Sequence, residues 1–90
     1  MTVKNYEVVF KKSAFKELQA LPEKVQQKVI DATQLLSSNP YTELLNIKKL
    51  KGAESVYRIR IQDYRLIYSI EKRVAKILVI KIGHRSEVYD

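Results

Sequence analysis

The stretch Val56-Tyr57-Arg58-Ile59-Arg60-Ile61-Gln62-Asp63-Tyr64-Arg65-Leu66-Ile67-Tyr68-Ser69-Ile70 decides the fold. Its first six residues alternate strictly. Side chains of a strand alternate between faces, so Tyr57, Ile59 and Ile61 share one face and Val56, Arg58 and Arg60 the other. Gln62-Asp63 has the length of a two-residue hairpin turn. Such a turn sets Ile61 opposite Tyr64, Arg60 opposite Arg65 and Arg58 opposite Ile67. Three arginines then lie on one sheet face. Glu71-Lys72-Arg73 reads as a second hairpin link, and Val74 to Ile82, β-branched and mostly apolar, as the most buried strand. The C-terminal half is thus expected to be a three-stranded antiparallel meander.

Toward the N-terminus the period changes. Asn5 to Phe10 is β-branched and aromatic and reads as a first strand. From about Lys11 to Ala20, Ala14, Leu18 and Leu21, with Phe15 beside them, recur at helical spacing. Pro22 ends that helix and suits the first turn of the next. Val25, Val29, Ala32 and Leu36 form the stripe of a second helix, which stops at Ser37-Ser38-Asn39-Pro40. So short a link predicts an antiparallel helical hairpin laid on the sheet. Residues 41–54 read as a short helical turn or an irregular crossing, followed by the basic connector Lys48-Lys49-Leu50-Lys51-Gly52. The fold class is α+β: an N-terminal strand, the helical hairpin, then the meander, in a single domain over residues 1–90.

The charge is concentrated. The 90 residues carry a net +7. Residues 1–45 hold six lysines against five acids, whereas residues 46–85 hold eleven Lys and Arg against Glu54, Asp63 and Glu71. A +8 excess over forty residues points to a polyanionic partner, because phosphate neutralisation drives such binding. With no cysteine and one histidine, thiolate and His-based metal sites are disfavoured and no disulfide framework exists. No cofactor motif occurs: there is no P-loop, GxGxxG or GxSxG. The longest apolar run, Ile77-Leu78-Val79-Ile80, falls far short of a membrane helix, and no apolar leader follows Met1. The cytoplasm is the expected compartment, with no membrane contact.

Placing Arg60 directly opposite Arg65 costs a few tenths to about 1 kcal/mol in repulsion. An anion between the guanidiniums reverses that cost, since arginine grips phosphate oxygens bidentately. Chemistry without metal or thiol must rest on Arg, Lys, His, Tyr and carboxylate. RNA cleavage by the 2′-hydroxyl on the adjacent phosphate is one such reaction. It needs a base, cations around the developing charge and an acid for the leaving oxygen.

Lys49-Leu50-Lys51-Gly52, Tyr57-Arg58-Ile59-Arg60, Asp63-Tyr64-Arg65-Leu66-Ile67-Tyr68 and the terminal Gly83-His84-Arg85-Ser86-Glu87-Val88-Tyr89-Asp90 together resemble the RelE/ParE superfamily of toxins, and its RelE-like members most. The element order matches as well. The resemblance implies a toxin of a type II toxin–antitoxin system that cuts mRNA in the ribosomal A site. It implies Arg58 and Arg60 as transition-state cations, Arg65 and Arg85 as phosphate clamps, and Tyr89 as base or stacking residue. The best-known RelE-like nuclease carries lysines where Arg58 and Arg60 stand. Arginine keeps its proton, so proton transfer falls to Tyr89 or His84. Lys49, Lys51 and Lys81 are the candidate substrate-binding lysines. The implied partner is a RelB-like antitoxin, extended and acidic, with oligomers forming only through it. On the same fold, the alternatives are a ParE-like inhibitor of DNA gyrase without nuclease activity, and an inactive homologue acting with its antitoxin as a DNA-binding co-repressor.

Overall fold

The computed structural model describes residues 5–50, 52 and 54–86. The chain forms strand β1 (Glu7–Phe10), helices α1 (Lys12–Gln19) and α2 (Glu23–Ser38), a short strand β2 (Ile47–Lys49), then β3 (Val56–Ile61), β4 (Tyr64–Glu71) and β5 (Lys76–His84). One five-stranded sheet runs in the order β1-β5-β4-β3-β2. β1 lies parallel to β5, and all other pairs are antiparallel. The expected α+β architecture is present, with β2 added at the edge. The connector at 47–49 thus forms a third antiparallel pairing, Ile47 with Ile59, Lys48 with Arg58 and Lys49 with Tyr57.

The two helices bury one stripe each. Ala14 and Leu18 lie one turn apart on α1, and Val29, Ala32 and Leu36 continue the line on α2. They meet Ile59, Leu66, Tyr68, Ile77, Val79 and Ile82 from one parity of the three central strands. Pro22 supplies no amide at the α2 N-terminus, where an amide would lack a helical acceptor, and Glu23 in the first turn complements the helix dipole. β1 is fastened to the far end of α2 by two bonds. The Tyr6 amide donates to the Ser37 carbonyl at 2.8 Å, and the Ser37 hydroxyl donates to the Tyr6 carbonyl at 2.7 Å.

The links carry the local strain. The Gln62-Asp63 turn has the expected two-residue length, with Gln62 at φ 55°. A positive φ there matches the twist of the flanking strands. The β4–β5 link differs from the expected Glu71-Lys72-Arg73. It is a 3₁₀ turn over Lys72–Val74 followed by Ala75 at φ 49°, so Val74 is 62% exposed and β5 begins only at Lys76. β5 then departs from regular pairing once. Ile67 faces Lys81 and Tyr68 faces Val79, which leaves Ile80 as a bulged residue.

Tyr68 is fully buried in this core, stacked on Tyr57 at 5.8 Å, and Tyr41 meets Tyr57 edge-on at 6.2 Å. Its hydroxyl has no hydrogen-bond partner among the described residues. Burial first, and then the neighbouring Tyr57 and Tyr41, push this phenol above its ordinary 10.0. Above pH 10 the unfolded chain therefore releases a proton that the folded chain keeps. Stability from this group is complete below pH 10 and is lost as pH rises, by up to about 1.4 kcal/mol per unit. Tyr68→Phe is expected to match or exceed the native stability at pH 7, by up to about 1 kcal/mol, and to decline less between pH 10 and 11. Urea unfolding of both proteins at the two pH values checks this.

Candidate functional site

With the helices on one face, the opposite face of the sheet carries the residues of the other parity of each strand. Two rows cross it. Lys48, Arg58, Ile67 and Lys81 are in register across β2, β3, β4 and β5; Arg60, Arg65 and Gly83 follow one step toward the Gln62-Asp63 turn. The direct Arg60–Arg65 pairing holds. Arg58 is sunk in the face, 5% exposed, while Arg60 is open to solvent and Arg65 half-buried. Burial, and then the like charges of Arg60 and Arg65, hold the Arg58 guanidinium below its ordinary value. The three positive charges therefore act on one another, and an anion on this face relieves the Coulombic part of that cost. Lys48 joins the arginine face by register. It escapes sequence reading because its face is defined only once β2 is known to be a strand.

The other candidates separate. Lys49 pairs with Tyr57, on the parity that faces the helices, and is exposed there at the sheet edge. Lys81 belongs to the arginine-face row by register, but its ammonium is held 3.0 Å from the Glu17 carboxylate of α1. The other Glu17 oxygen accepts the Ile82 amide, also at 3.0 Å. That amide lies on the part of β5 beyond Val79, which β1 does not pair. Glu17 thus covers a free strand edge and draws Lys81 toward it.

Arg85 follows immediately after β5, and its amide donates to the Asp63 carbonyl at 2.7 Å. This bond ties the end of β5 to the β3–β4 turn, beside the Arg60–Arg65 row. His84 has the parity of Ile82, so it lies on the helix side of the sheet. Its ring meets Tyr64 edge-on at 5.6 Å, and its Nδ1 accepts the Ser86 amide at 3.3 Å with the Ser86 hydroxyl 2.9 Å away. Accepting an amide at Nδ1 puts the proton of the neutral ring on Nε2. Arg58, Arg60 and Arg65 therefore come together, Arg85 flanks them, and His84 faces away. Tyr89 and Lys51 lie outside the described residues. Among the described residues, no group of three His, Asp or Glu side chains is arranged to hold a metal.

A small sheet with two helices on one face and clustered guanidiniums on the other defines a class of small basic α+β domains suited to binding anions. The sequence matches the family described as ParE toxin of the type II toxin–antitoxin system parDE over residues 8–89. It is 33% identical over 85 residues to toxin RelE3 of Methanocaldococcus jannaschii, a match covering 92% of this chain and 94% of that one. The fold resembles the archaeal RelE–RelB complex from Pyrococcus horikoshii with a TM-score of 0.81 and 30% identity, over 93% of this chain and 99% of that one. It also resembles the E. coli RelBE toxin–antitoxin complex, with a TM-score of 0.77 and 26% identity, over 88% and 95% of the two chains. The chain belongs to the RelE/ParE superfamily of type II toxin–antitoxin toxins, on its RelE-like side.

Since the Arg60–Arg65 pair is repulsive without an anion, Arg60→Ala is expected to leave stability unchanged or raised by a few tenths of a kcal/mol. A melting curve in low-salt buffer measures it. Added phosphate is expected to raise the native melting temperature more than that of the variant.

Proposed function

We propose that this toxin is an mRNA endoribonuclease that acts in the ribosomal A site without a metal ion. The observation that carries the reading is the convergence of Arg58, Arg60 and Arg65 on the open face of the sheet. Phosphoryl chemistry on RNA needs little from the protein beyond positioning and charge, because the substrate brings its own nucleophile. The 2′-oxygen attacks the adjacent phosphorus and the bond to the 5′-oxygen breaks. The products are a 2′,3′-cyclic phosphate and a free 5′-hydroxyl, the leaving oxygen taking its proton from water as the 2′-hydroxyl proton passes to the base. Arg65 and Arg85 clamp the phosphate, and Arg58 and Arg60 stabilise the dianionic transition state. Lys48, in register with Arg58, extends the cationic track along the backbone.

Tyr89 is assigned proton transfer from the 2′-hydroxyl, or stacking against the bases. A RelB-like antitoxin is the assigned partner, because the solved relatives include RelE proteins in complex with RelB. Its acidic segments would meet the +8 stretch over residues 46–85 favourably. The action is assigned to the cytoplasm, where ribosomes are; no described helix is long and apolar enough to cross a membrane.

The match to the ParE family favours a second reading, a gyrase poison without nuclease activity. Brief expression in bacteria followed by mapping of mRNA 5′ ends separates the two. The nuclease reading expects codon-phased cuts that fall by about 10²–10³-fold in Arg65→Ala and are lost in Tyr89→Phe. Growth arrest with intact mRNA and induced DNA damage would instead establish the gyrase reading.

A further inference from the structure

On the helix side of the sheet, at the β4 and β5 end of the Arg60–Arg65–Gly83 row, lies a concavity of about 290 Å³. It is lined by Glu17 and Leu21 from α1 and its C-terminal end, by Tyr64 from β4, and by Ile82, Gly83 and His84 from β5. No step assigned to the arginine face uses it. Its volume is at the lower end of ligand pockets, ~300–1,000 Å³, which is room for one ring system and little else.

The lining has the chemistry of a planar, hydrogen-bonding ring. Tyr64 and His84 stand nearly perpendicular, at 82°, and present aromatic surface. His84 Nε2 is left as a donor because Nδ1 accepts the Ser86 amide. Each Glu17 oxygen is spoken for once, by Lys81 or the Ile82 amide, and a carboxylate oxygen accepts more than one bond. Leu21 and Ile82 supply the apolar floor. An aromatic surface with one donor and one acceptor suits a nucleobase, and an acceptor carboxylate favours a base with an exocyclic amine over uracil.

The pocket also has the right neighbour. Gly83 stands in register with Arg65 on the arginine face and lines this pocket as well. It lies on the portion of β5 that β1 leaves unpaired. Arg65 itself reaches back toward the carbonyl of Tyr64, at 3.4 Å. The geometry points to a base-binding subsite at Tyr64, His84 and Glu17. It takes the base of a nucleotide next to the phosphate clamped by Arg65. The inference rests on the RNA reading above, and the experiment separates the two.

The chain's only histidine makes the test direct, since a single pair of imidazole resonances reports on the pocket. The isotope-labelled full-length protein is titrated with the RNA trinucleotides AAA and UUU, and with an abasic ribose-phosphate trimer. The expected result is that all three move the Arg60 and Arg65 Nε–H signals. Only the base-bearing oligomers shift His84 Hε1, AAA more than UUU. Tyr64→Leu, and independently His84→Ala, are expected to weaken AAA about tenfold by fluorescence anisotropy, the scale of one lost stacked base, and to leave abasic binding as it was. Equal affinity and identical shifts for AAA and the abasic trimer would overturn the subsite and leave the arginine reading standing. Absence of any arginine shift with all three would overturn both.

Discussion

The two residues between β3 and β4 set the constraint on which the molecule depends. A sheet buried on one face tolerates no odd slip, because a shift of one residue turns every side chain over. With Gln62 and Asp63 as the whole of the turn, Ile59, Ile61 and Leu66 face the helices, and Arg58, Arg60 and Arg65 face out. One more residue in that turn would set an arginine of β3 against the Leu18 and Leu36 layer, or break the pairing. The positive φ at Gln62 is the local cost of holding this length. Arg85 adds a second tie, because its amide bonds the carbonyl of Asp63 in the same turn. The turn thus fixes the register of β3 on β4 and anchors the end of β5.

The opposed demands of the two faces explain the uneven chemistry of the chain. The helix side is apolar and aromatic, down to a buried tyrosine whose hydroxyl gains no bond among the described residues. The other side concentrates like charge that lowers the stability of the unliganded protein. Folding energy comes from the first face, and the second draws on it. The family places this chain among toxins, and a cationic sheet face held rigid from behind suits polyanion binding better than a flexible basic loop does. Rigid guanidiniums lose little entropy when a phosphate arrives.

The meander was legible because its alternation is strict where it matters. Tyr57 to Ile61 leaves one parity, and Gln62-Asp63 leaves one turn length. β2 was not legible: Ile47-Lys48-Lys49 is three residues with a single apolar one, and it is a strand only because β3 offers an edge. The start of β5 was misplaced because Val74 is β-branched yet sits in a 3₁₀ turn, where tertiary geometry overrides propensity. The same limit applies to the candidate site. Arg58, Arg60 and Arg65 follow from local parity. The diversion of Lys81 to Glu17 spans 64 residues, and the turn of His84 to the helix side follows from register on β5. The Lys81–Glu17 contact leaves no local trace in the sequence; the parity His84 shares with Ile82 is local, but the face it meets is fixed only by pairing with β4.

Glu17 joins two elements that the sequence keeps far apart. Its carboxylate receives the amide of Ile82 and the ammonium of Lys81 at once, so the last turn of α1 and the end of β5 share one fastening. The end of β5 cannot fray on that side while α1 stays docked, and α1 cannot lift without exposing a strand amide to water. In the language of local unfolding, the Ile82 amide belongs with the helix as one cooperative unit. The β5 amides that pair with β4 belong to the central sheet. The boundary between the two units therefore runs along the middle of a single strand.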